Sequence, residues 1–265
     1  MATLVCFHAH PDDESIATGG VMALAAESGH RVVLVVATRG EVGEVPDGFL
    51  DPGESLAERR VLETERAAQV LGIDRVEFLG YRDSGMAGEA TNDHPDCFWQ
   101  ADVDDAARRL ADILTAEQAD VLTCYDSNGV YGHPDHIQVH RVGRRAAEMA
   151  GVARVYEATM NRTRVREGLE EWADRYDIAD LEVGEIEAMG TPDEAITTEV
   201  DVSAVVDRKR AALACHASQV DESSLFLSMS EADFATAFGT ESFIRVDAGA
   251  PATDGPQGRE TGLFR

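Results

Sequence analysis

Apolar runs about as long as β-strands alternate with amphipathic segments along the first 160 residues. The strand-like runs lie at about 3–9, 31–38, 75–81, 120–126 and 154–160. The helix-like segments between them lie at about 13–28, 54–71, 101–118 and 136–149. This alternation predicts βαβ units, and right-handed crossovers then give a doubly wound, mostly parallel sheet in the order 3-2-1-4-5. The fold class is therefore α/β.

The pattern changes after residue 160. A charged helical segment and an acidic loop come first, followed by a short strand at about 196–202 and a helix at about 203–217. The end of the chain is rich in Gly, Pro, Thr and Asp, a composition typical of a disordered tail. We expect one domain over 1–265 with three parts: a core (1–160), a cap or lid with further C-terminal elements (161–248) and a flexible tail (249–265).

Two turns rich in histidine and aspartate follow two of the predicted strands. The string AHPDDE occupies residues 9–14, after the first strand, and YGHPDH occupies residues 131–136, after the fourth. The predicted order places these strands side by side, and ligands of open parallel sheets bind outside the carboxyl ends of the strands. We therefore expect both turns to face one crevice.

The side chains in these turns suit a catalytic divalent metal. Such a Zn²⁺ site has three protein ligands and an open position for water. We assign His10, Asp13 and His136 as the ligands, and Fe²⁺ or Mn²⁺ would accept the same donors. Asp12 is then a carboxylate that the metal does not need, so it is the candidate general base toward water. The alternative is that these residues only form turns and complement helix dipoles.

Two other residues and a third HPD string bear on this assignment. His140 follows His136 by four residues, so it is an alternative ligand on the same helix face. Glu14 either orients a ligand or simply occupies the first turn of a helix. A third HPD string, at 94–96, follows no convincing strand, and we interpret it as a turn.

Composition excludes several classes of protein. The formal net charge is −27, from 50 acidic and 23 basic residues, and this argues against a nucleic-acid partner. No apolar run reaches the ~18 residues of a membrane span, and the amino terminus lacks the basic region of a signal peptide. We therefore expect a cytoplasmic protein. The four cysteines are scattered and show no metal-binding spacing.

The acidic residues are spread along the whole chain, whereas Lys209 is its single lysine. A net charge of this size destabilises a compact state unless salt screens it, and halophilic proteins use this effect. We expect a halophilic protein. The alternative is an acidic protein from an ordinary cell whose GC-rich genome prefers arginine to lysine.

The two turns closely resemble signatures of the LmbE-like, or PIG-L, family of zinc-dependent de-N-acetylases. Further matches are TRGEVGE at 38–44, GYRDSGM at 80–86, YD with NG at 125–129 and HASQ at 216–219. The resemblance extends over about residues 3–245. It is greatest to the branch that acts in the mycothiol pathway, which contains a deacetylase and an amidase of mycothiol conjugates. It implies a Rossmann-like scaffold.

The resemblance also implies roles for individual residues. It agrees with the ligand set and the base assigned above. It implies that His133 acts as a general acid or an electrostatic stabiliser, that Asp135 orients His133, and that Tyr131 helps to hold the carbonyl oxygen. Arg60 and Asp83 align with positions that contact the sugar or its aglycone.

Two of these positions leave alternatives open. By helical spacing, Arg60 could equally be a solvated residue paired with Glu63 or Thr64. His216, in the HASQ string, either lines the pocket or merely ends a helix.

The expected function is removal of the acetyl group from an N-acetylglucosamine-containing small molecule, which releases acetate and a free amine. An alternative is an amidase that cleaves a larger acyl group, such as the cysteinyl amide of a thiol conjugate, and the segment 161–195 would decide between them. A non-catalytic nucleotide-binding module is disfavoured because no GxGxxG string follows the first strand. The expected partner is a small amino-sugar substrate, and assembly into a homo-oligomer is left open.

Overall fold

A seven-stranded sheet in the order β3-β2-β1-β4-β5-β7-β6 forms the centre of the fold. The structure is a computed structural model that describes residues 1–173, 175–176, 188–221, 224–246, 255 and 258–264. The strands are β1 (Thr3–His8), β2 (Arg31–Val36), β3 (Arg75–Phe78), β4 (Val121–Tyr125), β5 (Arg154–Thr159), β6 (Thr198–Asp201) and β7 (Thr240–Arg245). The first five are parallel, which confirms the order predicted for them and the α/β class.

Helices cover the sheet and connect its parallel strands. In chain order they are α1 (Asp13–Ala17), α2 (Gly19–Glu27), α3 (Leu56–Leu71), α4 (Val103–Ala116), α5 (Gly129–Gly132), α6 (Pro134–Ala150), α7 (Arg162–Trp172), α8 (Val206–Leu213), α9 (Leu225–Ser228) and α10 (Glu231–Phe238). Every residue of β1 and β4 is buried, as expected for strands covered on both faces.

The helix predicted at 13–28 is in fact two helices. Thr18 separates them and has a non-helical conformation, with φ −138° and ψ 9°. The Thr18 side chain and the N–H groups of Gly20 and Val21 bond with residues outside the two helices. The Thr18 hydroxyl lies 2.8 Å from His8 Nε2. The Glu241 carboxylate accepts hydrogen bonds from the N–H groups of Gly20 and Val21, at 2.7 and 2.9 Å. A carboxylate that satisfies free N–H groups in this way starts a new helix.

The chain after β5 contributes to the sheet as well as to the helical layer. The short strand expected at 196–202 is β6, and β7 is a strand that the sequence pattern did not predict. β7 is antiparallel to both β5 and β6, so the last two strands extend the parallel sheet at one edge.

Residues 258–264, expected to be part of a flexible tail, pack against this edge. Glu260 is fully buried, and its side chain bonds with Thr198 at 2.9 Å and Arg245 at 2.6 Å. Leu263 is part of the hydrophobic core. The expectation was wrong for these residues because a few buried contacts outweigh a composition typical of loops. Residues 249–254 of the same segment lie outside the described residues.

None of the helices in the described part of the chain has both the length and the hydrophobicity of a membrane-spanning helix.

Candidate metal-dependent active site

Both histidine-rich turns lie at the carboxyl edge of two adjacent parallel strands, β1 and β4. The His10 and His133 rings meet edge to face with centroids 4.6 Å apart. The rings of His10 and His136 have centroids 5.4 Å apart. The structure therefore brings the two turns together at one place, as predicted.

The Asp13 carboxylate lies between two of these imidazoles. Its Oδ2 atom is 3.5 Å from His10 Nδ1 and 3.3 Å from His136 Nε2. These three side chains offer two nitrogens and one oxygen, the donor set of a catalytic zinc site. The residues present therefore fit a divalent metal.

Two further groups of possible metal donors share His10, and neither of them includes Asp13. The donor atoms of His10, His133 and His136 lie within 4.8 Å of one another, and so do those of His10, Asp83 and Asp135. Burial raises the pKa of Asp13, but His136 and His10 outweigh this and hold the pKa well below its usual range. Asp13 is thus a carboxylate ready to act as a ligand, and a metal that binds to such a cluster displaces protons from it.

Two further carboxylates contact the other nitrogen of His10. Asp135 Oδ2 is 3.2 Å and Asp83 Oδ1 is 3.5 Å from His10 Nε2. Both carboxylates are held in turn, Asp135 by the backbone N–H and hydroxyl of Ser84, and Asp83 by the N–H groups of Gly85 and Val42. A carboxylate on the far nitrogen of a metal-binding histidine is a common way to orient the ring.

This arrangement differs from what the resemblance implied for two residues. Asp135 contacts His133 through its backbone, whose N–H donates to His133 Nδ1 at 3.1 Å, while its side chain contacts His10 and Ser84. The Asp83 carboxylate, expected at the sugar, also contacts His10. The sequence could not reveal this because it does not show which way a side chain points in a turn.

His133 is buried, and one of its nitrogens already has a partner. Burial lowers the pKa of His133 to about 4, and the neighbouring His10 and His136 act in the same direction. The ring is therefore neutral near pH 7. Since Nδ1 accepts the backbone N–H of Asp135, the proton of the neutral ring lies on Nε2. His133 thus has one N–H group with which to donate a hydrogen bond.

The ring of Tyr131 meets those of His133 and His136 edge to face, and 41 % of the Tyr131 surface is exposed. Its hydroxyl is 3.4 Å from His136 Nε2. The turn before it is fixed by Asp126, whose Oδ1 accepts hydrogen bonds from the N–H groups of Asn128 and Val130, both at 3.0 Å. Val130 has φ +66°, an unfavourable conformation for a β-branched residue. The turn therefore holds Tyr131 in one place at a conformational cost.

Asp12 is the N-cap of α1 and also has a positive φ, of +96°. Its Oδ2 atom is 3.1 Å from Arg60 Nη2, and its N–H donates to Glu14 Oε2 at 2.9 Å. Burial raises the pKa of Asp12 to about 6, with Asp13 and Glu14 adding to the rise and Arg60 opposing it. Asp12 is therefore a carboxylate whose pKa lies close to neutral pH.

Arg60 is 4 % exposed, so it is not the solvated residue that helical spacing allowed. Its guanidinium also donates to the carbonyl oxygens of Pro11 and Gly40, at 2.5 and 2.9 Å. His140, the alternative ligand, lies elsewhere, with Nδ1 3.0 Å from the Tyr125 carbonyl oxygen and 3.3 Å from Glu157.

Sequence reasoning missed Ser84 and Tyr125, which both support the site. Both residues lie in strings matched to the family, Ser84 in GYRDSGM and Tyr125 in YD. Their positions in these strings were the signals that could have indicated a role. His216, left undecided, is fully buried and contacts Glu14.

Taken together, the structure shows an α/β fold with a buried His/Asp cluster that could hold a divalent metal, beside a carboxylate whose burial raises its pKa to about 6, an arrangement typical of metal-dependent hydrolases. The model of the PIG-L family, described as GlcNAc-PI de-N-acetylase, matches residues 5–147. The chain belongs to the PIG-L family.

Individual relatives agree with this assignment. The chain is 43 % identical over 277 residues to the 1D-myo-inositol 2-acetamido-2-deoxy-alpha-D-glucopyranoside deacetylase of Acidothermus cellulolyticus, covering 99 % of this chain and 94 % of the relative. The solved N,N'-diacetylchitobiose deacetylase of Pyrococcus horikoshii superposes with a TM-score of 0.58 at 22 % identity, covering 92 % of this chain and 83 % of that one.

A third comparison separates fold from activity. The 4-carboxy-2-hydroxymuconate hydratase of Pseudomonas putida has the same fold, with a TM-score of 0.57 at 21 % identity, covering 94 % of this chain and 98 % of that one. Structural likeness at this level of identity shows the fold alone, so the activity has to be argued from the site and from the nearer relatives.

Proposed function

We propose that this protein is a metal-dependent N-deacetylase whose substrate is 1D-myo-inositol 2-acetamido-2-deoxy-α-D-glucopyranoside, the compound for which the Acidothermus relative is named. The reaction cleaves the acetamide bond and yields acetate and a free amine. The observation that carries this proposal is the contact of Asp13 with both His10 and His136, next to Asp12, at the end of β1 and β4.

His10, Asp13 and His136 would hold the metal, with Zn²⁺ the first candidate and Fe²⁺ or Mn²⁺ suited to the same donors. A metal bound there supplies a Lewis acid for the acetamide carbonyl and lowers the pKa of water. The carboxylates of Asp83 and Asp135 keep the His10 ring oriented by accepting from its Nε2.

Asp12 is the residue that accepts the proton of the attacking water. A general base works best when its pKa lies near the operating pH, and burial raises the pKa of Asp12 to about 6. The contact with Arg60 keeps the carboxylate in one orientation. Having gained the proton, Asp12 is also the group that can return it to the departing amine.

His133 and Tyr131 are placed to stabilise the negative charge that develops on the carbonyl oxygen. Each offers one donor, the Nε2–H of a neutral His133 and the hydroxyl of Tyr131. Because burial lowers the pKa of His133 to about 4, electrostatic stabilisation is the better supported of the two roles that the resemblance implied for it.

Mass spectrometry of the products tests the proposal most directly. Metal-loaded protein should release acetate from the N-acetylglucosaminyl inositol and leave amides of larger acyl groups, including cysteinyl amides of thiol conjugates, largely uncleaved. Preferential cleavage of the thiol conjugates would replace the deacetylase with the amidase. Cleavage of neither class would contradict the proposed function.

Variants of the site separate the ligands from the base. His10→Ala, Asp13→Ala and His136→Ala should each lose the metal, measured by elemental analysis, whereas the matched control His140→Ala should keep it. Asp12→Asn should also keep the metal and lower turnover by roughly 10²–10⁴-fold, the usual contribution of a general base. Near-normal turnover of Asp12→Asn would contradict the role of Asp12 as general base.

A cytoplasmic location and the absence of a nucleic-acid partner remain predictions from the sequence, and the oligomeric state is open.

A further inference from the structure

A single carboxylate links His216 to the backbone of Asp12. His216 Nε2 is 2.7 Å from Glu14 Oε1, across 202 positions of sequence. The other oxygen, Glu14 Oε2, accepts the N–H of Asp12 at 2.9 Å. Both Glu14 and His216 are fully buried. The segment that follows α8 therefore reaches the candidate base through one intermediate side chain.

The neighbours of His216 fasten the same segment to α3. Ser218 donates from its backbone N–H and its hydroxyl to the Glu63 carboxylate, at 2.9 and 2.6 Å. Gln219 Oε1 accepts from Arg60 Nη1 at 3.2 Å, and the guanidinium of Arg60 also contacts Asp12 Oδ2. The segment 216–219 thus approaches Asp12 by two routes, one to its backbone and one to its carboxylate.

Asp12 needs this support because its backbone conformation is unfavourable. A φ of +96° with a ψ of −33° is rare for a residue with a side chain, and it persists only where the surroundings fix it. The Glu14 carboxylate is fixed by three donors, which are Asp12 N–H, the Ser15 hydroxyl at 2.6 Å and His216 Nε2. Such a carboxylate has one orientation and so specifies the position of the Asp12 N–H group.

The buried pair of Glu14 and His216 is better explained by such positioning than by a gain in folding stability. Taking a carboxylate and an imidazole out of water opposes the attraction between them, and apolar residues of similar volume often serve stability equally well. A pair that specifies one conformation of a neighbouring residue has a role that apolar side chains cannot fill.

We propose that His216 is a positioning residue, which acts through Glu14 to hold Asp12 in the backbone conformation that places its carboxylate beside Asp13. The inference rests on the proposed function, in which Asp12 is the general base. It assigns a role to the HASQ segment, which the sequence left undecided between lining the pocket and ending a helix.

The first test compares His216→Ala with His216→Gln in the full, metal-loaded chain. His216→Ala should lower kcat by up to about 10²-fold, as expected when a catalytic group is displaced by about 1 Å, while KM and the metal content stay unchanged. His216→Gln should recover most of the loss because its amide can donate to Glu14. Loss of metal, or no recovery with glutamine, would overturn the inference. His216→Phe, which keeps a ring in the same space, replaces the alanine variant if that one does not fold.

A double-mutant cycle shows whether His216 acts through Asp12. In the Asp12→Asn background, His216→Ala should cause no further loss of kcat, whereas a full additional loss would mean that it acts independently of Asp12. His30→Ala is the matched control, because His30 lies at the opposite end of the strands, where it stacks on Phe264 and accepts the Ala2 N–H. It should keep the wild-type kcat.

A crystal structure of metal-loaded His216→Ala gives a readout independent of activity. The inference expects Asp12 to return to a negative φ or to lose its contact with Arg60, and an unchanged Asp12 would overturn it even if turnover falls. If the wild-type protein cleaves no amide at all, the proposed function fails, and this structural comparison still decides the positioning role.

Discussion

The ring of Tyr125 lies stacked on the ring of His136, with centroids 4.6 Å apart and 18° between the planes. The Tyr125 hydroxyl is 2.7 Å from His8 Nδ1, and His8 Nε2 is 2.8 Å from the Thr18 hydroxyl. Burial lowers the pKa of His8 to about 4, so its ring is neutral and accepts at one nitrogen while it donates at the other. His136, a candidate metal ligand on α6, therefore packs on Tyr125, which in turn is hydrogen-bonded to the buried His8 of β1.

Two substitutions of Tyr125 should distinguish the role of its hydroxyl, which contacts His8, from that of its ring, which stacks on His136. Tyr125→Phe keeps the stack but leaves a nitrogen of buried His8 without its partner, so it should lower the free energy of unfolding by about 1–3 kcal/mol and leave metal affinity unchanged. Tyr125→Leu also removes the stack and should weaken metal binding by roughly 10–100-fold, the usual effect of losing a group that orients a ligand. Urea denaturation and competition with a chelator measure the two effects. Equal metal affinity in all three proteins would show that the stack does not position His136.

Asp83→Asn distinguishes a residue that orients His10 from one that binds the sugar. Burial raises the pKa of Asp83, but its contact with His10 outweighs this and holds the pKa well below its usual range, so the variant removes a charge that faces the ring. Metal affinity should fall by roughly 10–100-fold, while KM, measured at saturating metal, stays near the wild-type value. The reverse result, a higher KM with unchanged metal affinity, would restore the sugar contact that the resemblance implied.

The order of the first five strands and the proximity of the two histidine-rich turns were predictable because they follow from periodicity and from the handedness of crossovers. The HPD strings show how little the motif does alone. His94 Nδ1 accepts the N–H of Asp96 at 3.2 Å, as His133 Nδ1 accepts that of Asp135 at 3.1 Å. The local turn is the same in both, and only its place after a buried strand makes the second one part of a site.

Features that depend on contacts distant in sequence were not predictable. β7 shows no signal of its own strong enough to predict a strand, and it forms where β5 and β6 offer edges to pair with. The contact of Glu14 with His216 joins α1 to the segment after α8, and no spacing rule connects them. The break at Thr18 likewise depends on His8 and Glu241, which lie on two different strands.

Asp126→Ala should loosen the turn that carries Tyr131. The substitution leaves the N–H groups of Asn128 and Val130 without their acceptor. Asn128 is exposed and can bond with water, but the buried N–H of Val130 left unpaired costs about 1–3 kcal/mol of unfolding free energy. We expect lower kcat with the metal retained, because Tyr131 is displaced while the ligands are not. Asp126→Asn, which keeps one oxygen acceptor, is the control, and both its free energy of unfolding and its kcat should fall less. A wild-type kcat in Asp126→Ala would argue against a role of Tyr131 in the reaction.

Stability should depend on pH through His140, which lies away from the metal ligands. Its hydrogen bond to Glu157, with Nδ1 and Oε1 3.3 Å apart, raises the pKa of His140 above 6.5. A group whose pKa is raised by folding contributes stability that is fully present below its unfolded pKa and is lost as the pH rises through its folded pKa.

The free energy of unfolding of the wild type, relative to His140→Gln, should therefore fall as the pH rises above 6.5 and through the raised pKa of His140. Urea denaturation at a series of pH values measures this difference. Glu157→Gln should abolish the same dependence. A difference between wild type and His140→Gln that does not change over this range would mean that the pair contributes no pH-dependent stability.

The distribution of charge predicts a marked response to salt. Lys209, the single lysine, is buried against Glu241, with Nζ and Oε1 2.6 Å apart, so it does not offset the acidic surface. With a net charge of −27, repulsion within the folded chain should be strong in dilute buffer. The screening length falls from about 10 Å at 0.1 M salt to about 3 Å at 1 M. The melting temperature and the activity should therefore rise steadily between about 0.1 and 2 M KCl.

A variant with fewer negative charges shows whether repulsion is the cause. Glu65, Asp112 and Glu170 are exposed and lie on three different helices, so Glu65→Gln/Asp112→Asn/Glu170→Gln removes charge without touching the core. This variant should melt at a higher temperature than the wild type in dilute buffer, and the difference should shrink at about 2 M KCl as screening removes the repulsion. All samples must hold saturating metal, so that salt acts on folding and not on metal binding. A wild-type melting temperature that does not change over this range of KCl would contradict the halophilic interpretation. An ordinary cell whose proteins are rich in arginine would then be the better explanation of the composition.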